Sequence, residues 1–363
     1  MNKRESIIDI LKGIGIILIV LGHTNFPYTH FIYLFHVELF IIASGYFFKD
    51  DKVSSFKQLL KYIAKKIKKL YLPYIIINVL FVLLNNILLD LHIYSLNTHT
   101  YYNLNDFIIN VAKVLLFQGV TEIGGATWFL QLLFGTIVLY AINNFIIIKT
   151  GKNKYFYNII FLIIYFIIGM IFLKKNYFVE SSLKIIQILY SYGLFFFGNV
   201  FSNFVKNCLK KNKKNNYINY TIILIAFIIL IILSRYGKIE VSKNVYTNVI
   251  YFIATSIIGF LFIYEISKLI DNLKLKIVLS YIGLHSFLIF SLHFLAFKFI
   301  NVIIVILFGF PISFLGKFPT INIRFSWIYY TIGGIMIPII INCIYTKLKE
   351  KIHEKIRSSN SNI

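Results

Sequence analysis

The chain has 363 residues, 58% of them apolar, and a formal net charge of +23. Its mean hydropathy of +0.77 is far above that of a soluble domain, which argues against a soluble fold. The charge argues equally little for nucleic acid, because Lys and Arg cluster in short linkers between apolar runs, as positive-inside topology requires.

Apolar runs of about 18 to 20 residues recur along almost the whole length, and each can cross roughly 30 Å of hydrocarbon as a helix. They predict an all-α polytopic membrane helix bundle with about ten transmembrane helices. The expected spans are 7–25, 31–48, 71–89, 126–147, 155–173, 184–204, 217–234, 249–265, 277–298 and 325–345. Residues 1–350 form the membrane domain, and 351–363 form a short basic cytoplasmic tail. No internal repeat is evident.

The first run lacks a small-residue cleavage signal near position 25 and reads as a retained helix. Asp9 and Lys12 are three apart and share a helix side. Lys12, near the inner end, either snorkels or attracts the phosphates of a cytoplasmic acyl donor. The run closes on His23. A neutral imidazole can take a proton from a hydroxyl as it attacks an acyl group, and Gly22 permits close approach. The alternative is an interfacial histidine bonded to a neighbouring helix.

The second run carries His36 and Glu38. Ionisable groups inside a span are expensive and mark candidate sites. Two positions apart, they do not share a face of a regular helix, so they need not form a dyad and one could line a cavity while the other pairs elsewhere. In the expected topology His23, His36, Glu38, Trp128 and His293 all lie toward the outer side and could converge on one cavity. Gly45 reads as a helix-packing residue. Ser44-Gly45-Tyr46 is not a hydrolase elbow.

The linker KDDKVSSFKQLLKYIAKKIKKLYLP follows. It is basic and weakly amphipathic, suited to the inner lipid surface. Lys66, Lys68 and Lys69 in it are candidate donor-phosphate contacts, beside their role as a topology signal. Pro73 opens the third helix, where a missing N–H is tolerated. Placing this linker in the cytoplasm puts both termini there, with the basic links near residues 150, 206 and 274.

The run 106–118 is a surface helix or a re-entrant piece on the outer side. Glu122 is expected in a solvated outer loop. Trp128 and Phe129 could wall a sugar or acyl chain, or form an interfacial belt. His285 and His293, eight apart, fall on roughly one face. His293, toward the outer end, could hold an acceptor or assist proton transfer, whereas a structural hydrogen bond suits His285. A short segment could hide between 299 and Pro311. Cys208 and Cys343 show neither metal spacing nor a disulfide framework. No P-loop, dinucleotide loop or zinc motif is present, so no metal is expected.

These motifs resemble the acyltransferase type 3 family of integral membrane proteins, and within it the fucose 4-O-acetylase-like branch. IDILKGIGIILIVLGH, ending at His23, is similar to the branch's opening. FHVELFIIASGYFF at 35–48, LPY at 72–74, GATWFLQLLF at 125–134 and SYIGLHSFLIFSLHF at 280–294 resemble its later motifs in order and spacing. The resemblance implies acyl transfer, commonly of acetyl from acetyl-CoA, to a hydroxyl of a surface glycan. It implies a catalytic role for His23 and points to Trp128 and His293 as site residues.

There are departures. Many members of the broader family have arginine at the position of Lys12, and the two cations do not bind phosphate alike, although lysine is common in the branch. The position of His285 often carries a smaller polar residue. No esterase-like soluble domain is appended.

The expectation is O-acetylation of a cell-envelope saccharide or its lipid-linked precursor, with acetyl-CoA as co-substrate and His23 as general base. His36 or His293 would supply a proton, with Glu38, Trp128 and Phe129 around the acceptor. The location expected is a bacterial cytoplasmic membrane. The alternative is a glycan export protein related to intercellular adhesin export proteins.

Overall fold

The computed structural model describes residues 3–175, 184–208 and 216–360. Its helices in chain order are α1 (Lys3–Gly22), α2 (Thr29–Ile32), α3 (Glu38–Tyr46), α4 (Phe56–Lys66), α5 (Leu72–Leu83), α6 (Asn85–Asp90), α7 (Leu104–Leu115), α8 (Trp128–Lys149), α9 (Lys154–Lys174), α10 (Ile185–Cys208) and α11 (Asn216–Tyr236). A two-stranded antiparallel hairpin follows, β1 (Ile239–Glu240) with β2 (Val245–Tyr246), pairing Ile239 with Tyr246. The chain continues with α12 (Val249–Ile270), α13 (Leu275–Leu284), α14 (Ser286–Phe308) and α15 (Ser326–Asn360).

The architecture is a helix bundle. Among the described residues, seven helices are long and apolar enough to cross a membrane: 125–149, 154–174, 185–206, 217–236, 249–270, 286–308 and 326–351. Three of the expected spans are not single helices. The second is interrupted by turns between α2 and α3, the third kinks at Leu84, and the ninth breaks at His285. Each break has a local cause. Tyr33 turns out of the second run to donate its hydroxyl to the Gly22 carbonyl, at 3.0 Å. Asn85 and Asn86 send their amides across to the Thr100 and Tyr102 carbonyls. His285 Nδ1 pairs with the Tyr281 carbonyl at 2.8 Å, which also accepts the His285 backbone N–H at 3.2 Å, so ring and backbone of His285 together close the end of α13.

The basic linker begins α4 with a reciprocal cap between Ser55 and Gln58. A π-turn at Ile67–Tyr71 then widens the backbone ahead of Pro73 in the first turn of α5, where a proline ring and its missing N–H are accommodated. The 106–118 segment is a surface helix, α7, too short to span and packed beside α5. No separate segment precedes Pro311: α14 runs unbroken to Phe308 and closes on Gly309 in the left-handed region. The backbone helix of α15 continues through residue 350 to Asn360.

Close helix contacts set the core. At Gly283 a Cβ would collide with the Asp9 carbonyl, so α13 lies backbone to backbone on α1. Gly45 meets the Phe195 carbonyl in the same way, joining α3 to α10. α9 and α11 lie at the periphery with exposed Ile163, Ile167, Leu224 and Ile228, apolar faces suited to lipid. Side chains of Cys208 and of the 209–215 link lie outside the described residues.

Candidate active site

His23 stands in the turn that ends α1. Its N–H bonds the Val20 carbonyl at 3.1 Å, and the Thr24 hydroxyl bonds the Leu21 carbonyl at 2.7 Å. Both bonds satisfy acceptors that a helix terminus leaves free. The turn presents the imidazole to α14, where its ring stacks on His293 with centroids 5.3 Å apart and planes 23° apart. Phe294 closes edge-on against His23 at 4.9 Å.

His293 is fully buried. Its Nδ1 faces two backbone carbonyls of its own helix, Phe290 at 2.9 Å and Ile289 at 3.2 Å. Carbonyls only accept, so Nδ1 carries the proton and Nε2 carries the lone pair. That Nε2 has no hydrogen-bond partner among the described residues.

His36 lies in the broken part of the second run, stacked on Tyr33 at 4.8 Å. The absent side chain of Gly22 leaves room for both: a Cβ there would lie 3.0 Å from the Tyr33 ring and 3.7 Å from His36 Nε2. Glu38 begins α3 and is 1% exposed. Neither oxygen of its carboxylate has a hydrogen-bond partner among the described residues. His23, His36, Glu38 and Trp128 line one cavity, roofed by residues 239–242 of the hairpin. His36 and Glu38 thus share a cavity, although a regular helix would point them apart, because the run is interrupted between α2 and α3. The cavity measures about 30 Å³, room for roughly two waters.

Other candidates fall elsewhere. Phe129 is buried against Phe290 and Phe40 and does not reach the cavity. His285 is half-buried in the break and bonded to its own helix. Lys12 is paired with Asp9 at 2.9 Å and lies over the Phe47 ring. Eleven helical residues, about 16 Å of rise, separate it from His23. Lys66 lies over Tyr62, while Lys68 and Lys69 are exposed on the π-turn. Burial, then the charges of Lys69 and Lys52, push the Lys66 ammonium down to about 8. Asp50, next along the same link, receives Lys154 at 2.7 Å and the Asn144 amide at 2.7 Å. The structure therefore groups the histidines and glutamate, and sets the candidate donor lysines at the opposite end of α1.

Sequence reasoning missed several groups. Gln187 donates to the Val241 carbonyl at 2.7 Å and holds the hairpin over the cavity. Glu122 is not in a solvated loop but pairs with buried Lys298 at 2.9 Å. Lys298 also donates to the Ile93 carbonyl at 2.8 Å. A lysine flanked on both sides by apolar residues, at the end of the ninth expected span and in the middle of α14, was the available signal. Among the described residues, no cluster of three or more His, Cys, Asp or Glu could hold a metal ion.

Comparison with known proteins adds a family. The type 3 acyltransferase domain matches residues 5–346. The nodulation protein NolL of Sinorhizobium fredii is 45% identical over 58 residues, which cover 12% of this chain and 16% of that protein. The similarity thus spans well under two thirds of that relative's length. No solved structure matches the chain.

Proposed function

The chain belongs to the type 3 acyltransferase-domain family, and from that premise we propose that it moves an acetyl group from acetyl-CoA to a hydroxyl of a cell-envelope saccharide or its lipid-linked precursor. The reading draws on the likeness of its motifs to the fucose 4-O-acetylase-like branch. The observation that carries it is the stacked pair of His23 and His293, with His23 lining a cavity beside His36 and Glu38.

His23 lines the cavity and is the general base. It takes the acceptor's hydroxyl proton as the oxygen attacks the thioester carbonyl. The tetrahedral intermediate collapses, the acetyl oxygen ester forms, and CoA leaves as the thiol once it regains a proton. A positioned base contributes about 10²- to 10⁴-fold. His293 stands behind His23 with Nδ1 already committed, and is a positioning residue. His36 supplies a proton to the leaving thiolate. Glu38 and Trp128 contact the acceptor, and Phe129 supports the wall behind them. Lys12, Lys66, Lys68 and Lys69 face the CoA phosphates from the cytoplasmic end, and the extended pantetheine arm spans the separation. Both termini are cytoplasmic, residues 1–350 are the catalytic membrane domain, 351–363 are the tail, and the membrane is the bacterial cytoplasmic membrane.

The test uses membranes carrying wild-type protein or His23→Ala, acetyl-labelled acetyl-CoA, and envelope glycans with lipid-linked precursors. Mass spectrometry reads label on glycan. Label that depends on His23 supports the proposal, and full activity in a correctly inserted His23→Ala protein overturns the base assignment. One observation favours a second reading, glycan export: the second run breaks beside the polar cavity, as transporter helices do. Glycan movement without acylation in the same membranes would select it.

A further inference from the structure

A second cavity, about 120 Å³, lies between α5 and α7 at the same end of the bundle as His23. Its lining is mixed. Glu122 and Lys113 bring a carboxylate and an ammonium, Asn85 and Asn110 bring amides, and Tyr94 stacks on His99 at 4.2 Å. Glu122 is held in place by Lys298 at 2.9 Å, and its other oxygen lies 3.8 Å from His99 Nδ1. Donors and acceptors beside a flat aromatic face suit a pyranose, which offers hydroxyls of both kinds and an apolar C–H face.

The surroundings of this cavity are apolar. Ile76, Leu80, Leu83 and Ile87 are all exposed and recur at helical spacing along α5 and α6. On the other flank, α7 exposes Leu104, Ile108 and Ile109. A polar pocket between two such faces matches an amphiphile whose sugar enters protein while its chain stays in lipid. Three side chains in series join this cavity to the histidines: Lys298, paired with Glu122, lies over Phe318, Phe318 packs on Phe294 at 4.8 Å, and Phe294 packs on His23 at 4.9 Å.

The geometry points to a glycolipid-binding site here, which takes the sugar head of a lipid-linked saccharide laterally from the membrane. Its role as an entry site that holds the acceptor before it reaches the cavity at His23 rests on the acetyl-transfer reading; its capacity to bind does not.

The experiment uses a decyl glucoside with a photoreactive group beside the sugar, on full-length protein in phospholipid vesicles. Three proteins are compared: wild type, His23→Ala, and Asn110→Trp, which fills the cavity from a half-exposed position on α7. Asn110→Ala, with no added bulk, checks that any effect of tryptophan is not a folding defect. Labelled peptides are expected from 81–85 and 110–122. Asn110→Trp lowers labelling about tenfold, His23→Ala leaves it unchanged, and free glucose does not compete. Labelling spread evenly over α9 and α11, labelling untouched by Asn110→Trp, or equal competition by free glucose overturns the site. Absence of any acetylation in the earlier membranes would overturn the acetyl-transfer reading while these binding results stood on their own.

Discussion

His23 and His293 are stacked at 5.3 Å, and only His293 has its ring proton fixed by backbone carbonyls. The pair is therefore asymmetric: His23 faces the cavity and His293 does not. His23→Ala is expected to lose about 10²- to 10⁴-fold in transfer rate. His293→Asn keeps an N–H near the position from which Nδ1 donates but removes Nε2. It is expected to fold normally and lose a comparable factor, whereas an equally folded His293→Asn with wild-type kcat would show that Nε2 plays no part. Radiolabel transfer, with detergent elution profiles as the folding control, reads both.

Among the described residues, Lys298 and Glu122 form the most enclosed ion pair joining two distant segments, and Lys298 is 4% exposed. Lys298→Met strands the carboxylate and releases the Ile93 carbonyl, a loss expected at about 3–5 kcal/mol. Adding Glu122→Gln should recover part of it, because the stranded charge disappears. Thermal unfolding of the purified single and double variants checks this. Strict additivity of the two changes would mean that the pair is not coupled.

The helix-bundle class was legible in the apolar runs, because hydropathy reports what lipid can surround. The breaks were not. A run such as FIYLFHVELFIIASGYFF has the same hydropathy whether its backbone is straight or turned, and only the hydroxyl of Tyr33 reaching the Gly22 carbonyl shows why it turns. That break is also why reasoning from helical faces separated His36 from Glu38. The pairing of Glu122 with Lys298 was hidden for a different reason: contacts between remote segments leave no periodic trace. His23 and His293 stood out because a histidine in an apolar helix is costly wherever it lies.

Lys66 gives a dependence on pH. Its ammonium, pushed down to about 8 by burial and by its lysine neighbours, is charged below that pH and loses its charge as pH rises through it. CoA phosphates stay ionised over the same range. Affinity for CoA is therefore expected to fall between pH 7 and pH 9 by a factor of about three to ten. Lys66→Arg should flatten the profile with affinity retained, and Lys66→Gln should flatten it at the weak level. Calorimetric titration with CoA at the two pH values decides; an unchanged profile in Lys66→Gln assigns the dependence to another group.

The hairpin must move for any sugar to reach His23, since the cavity beneath it measures only about 30 Å³. Its visible anchor is Gln187, whose buried amide donates to the Val241 carbonyl at 2.7 Å and the Ser242 carbonyl at 3.3 Å. Each such bond contributes about 1 kcal/mol net, so Gln187→Ala should shift the balance toward an open hairpin without unfolding the bundle. Amide hydrogen exchange across 239–246 is expected to quicken. Acetyl-CoA hydrolysis in the absence of acceptor should rise as well, because water then enters beside His23. Faster exchange with unchanged hydrolysis would mean that the hairpin moves but does not control access to the histidines.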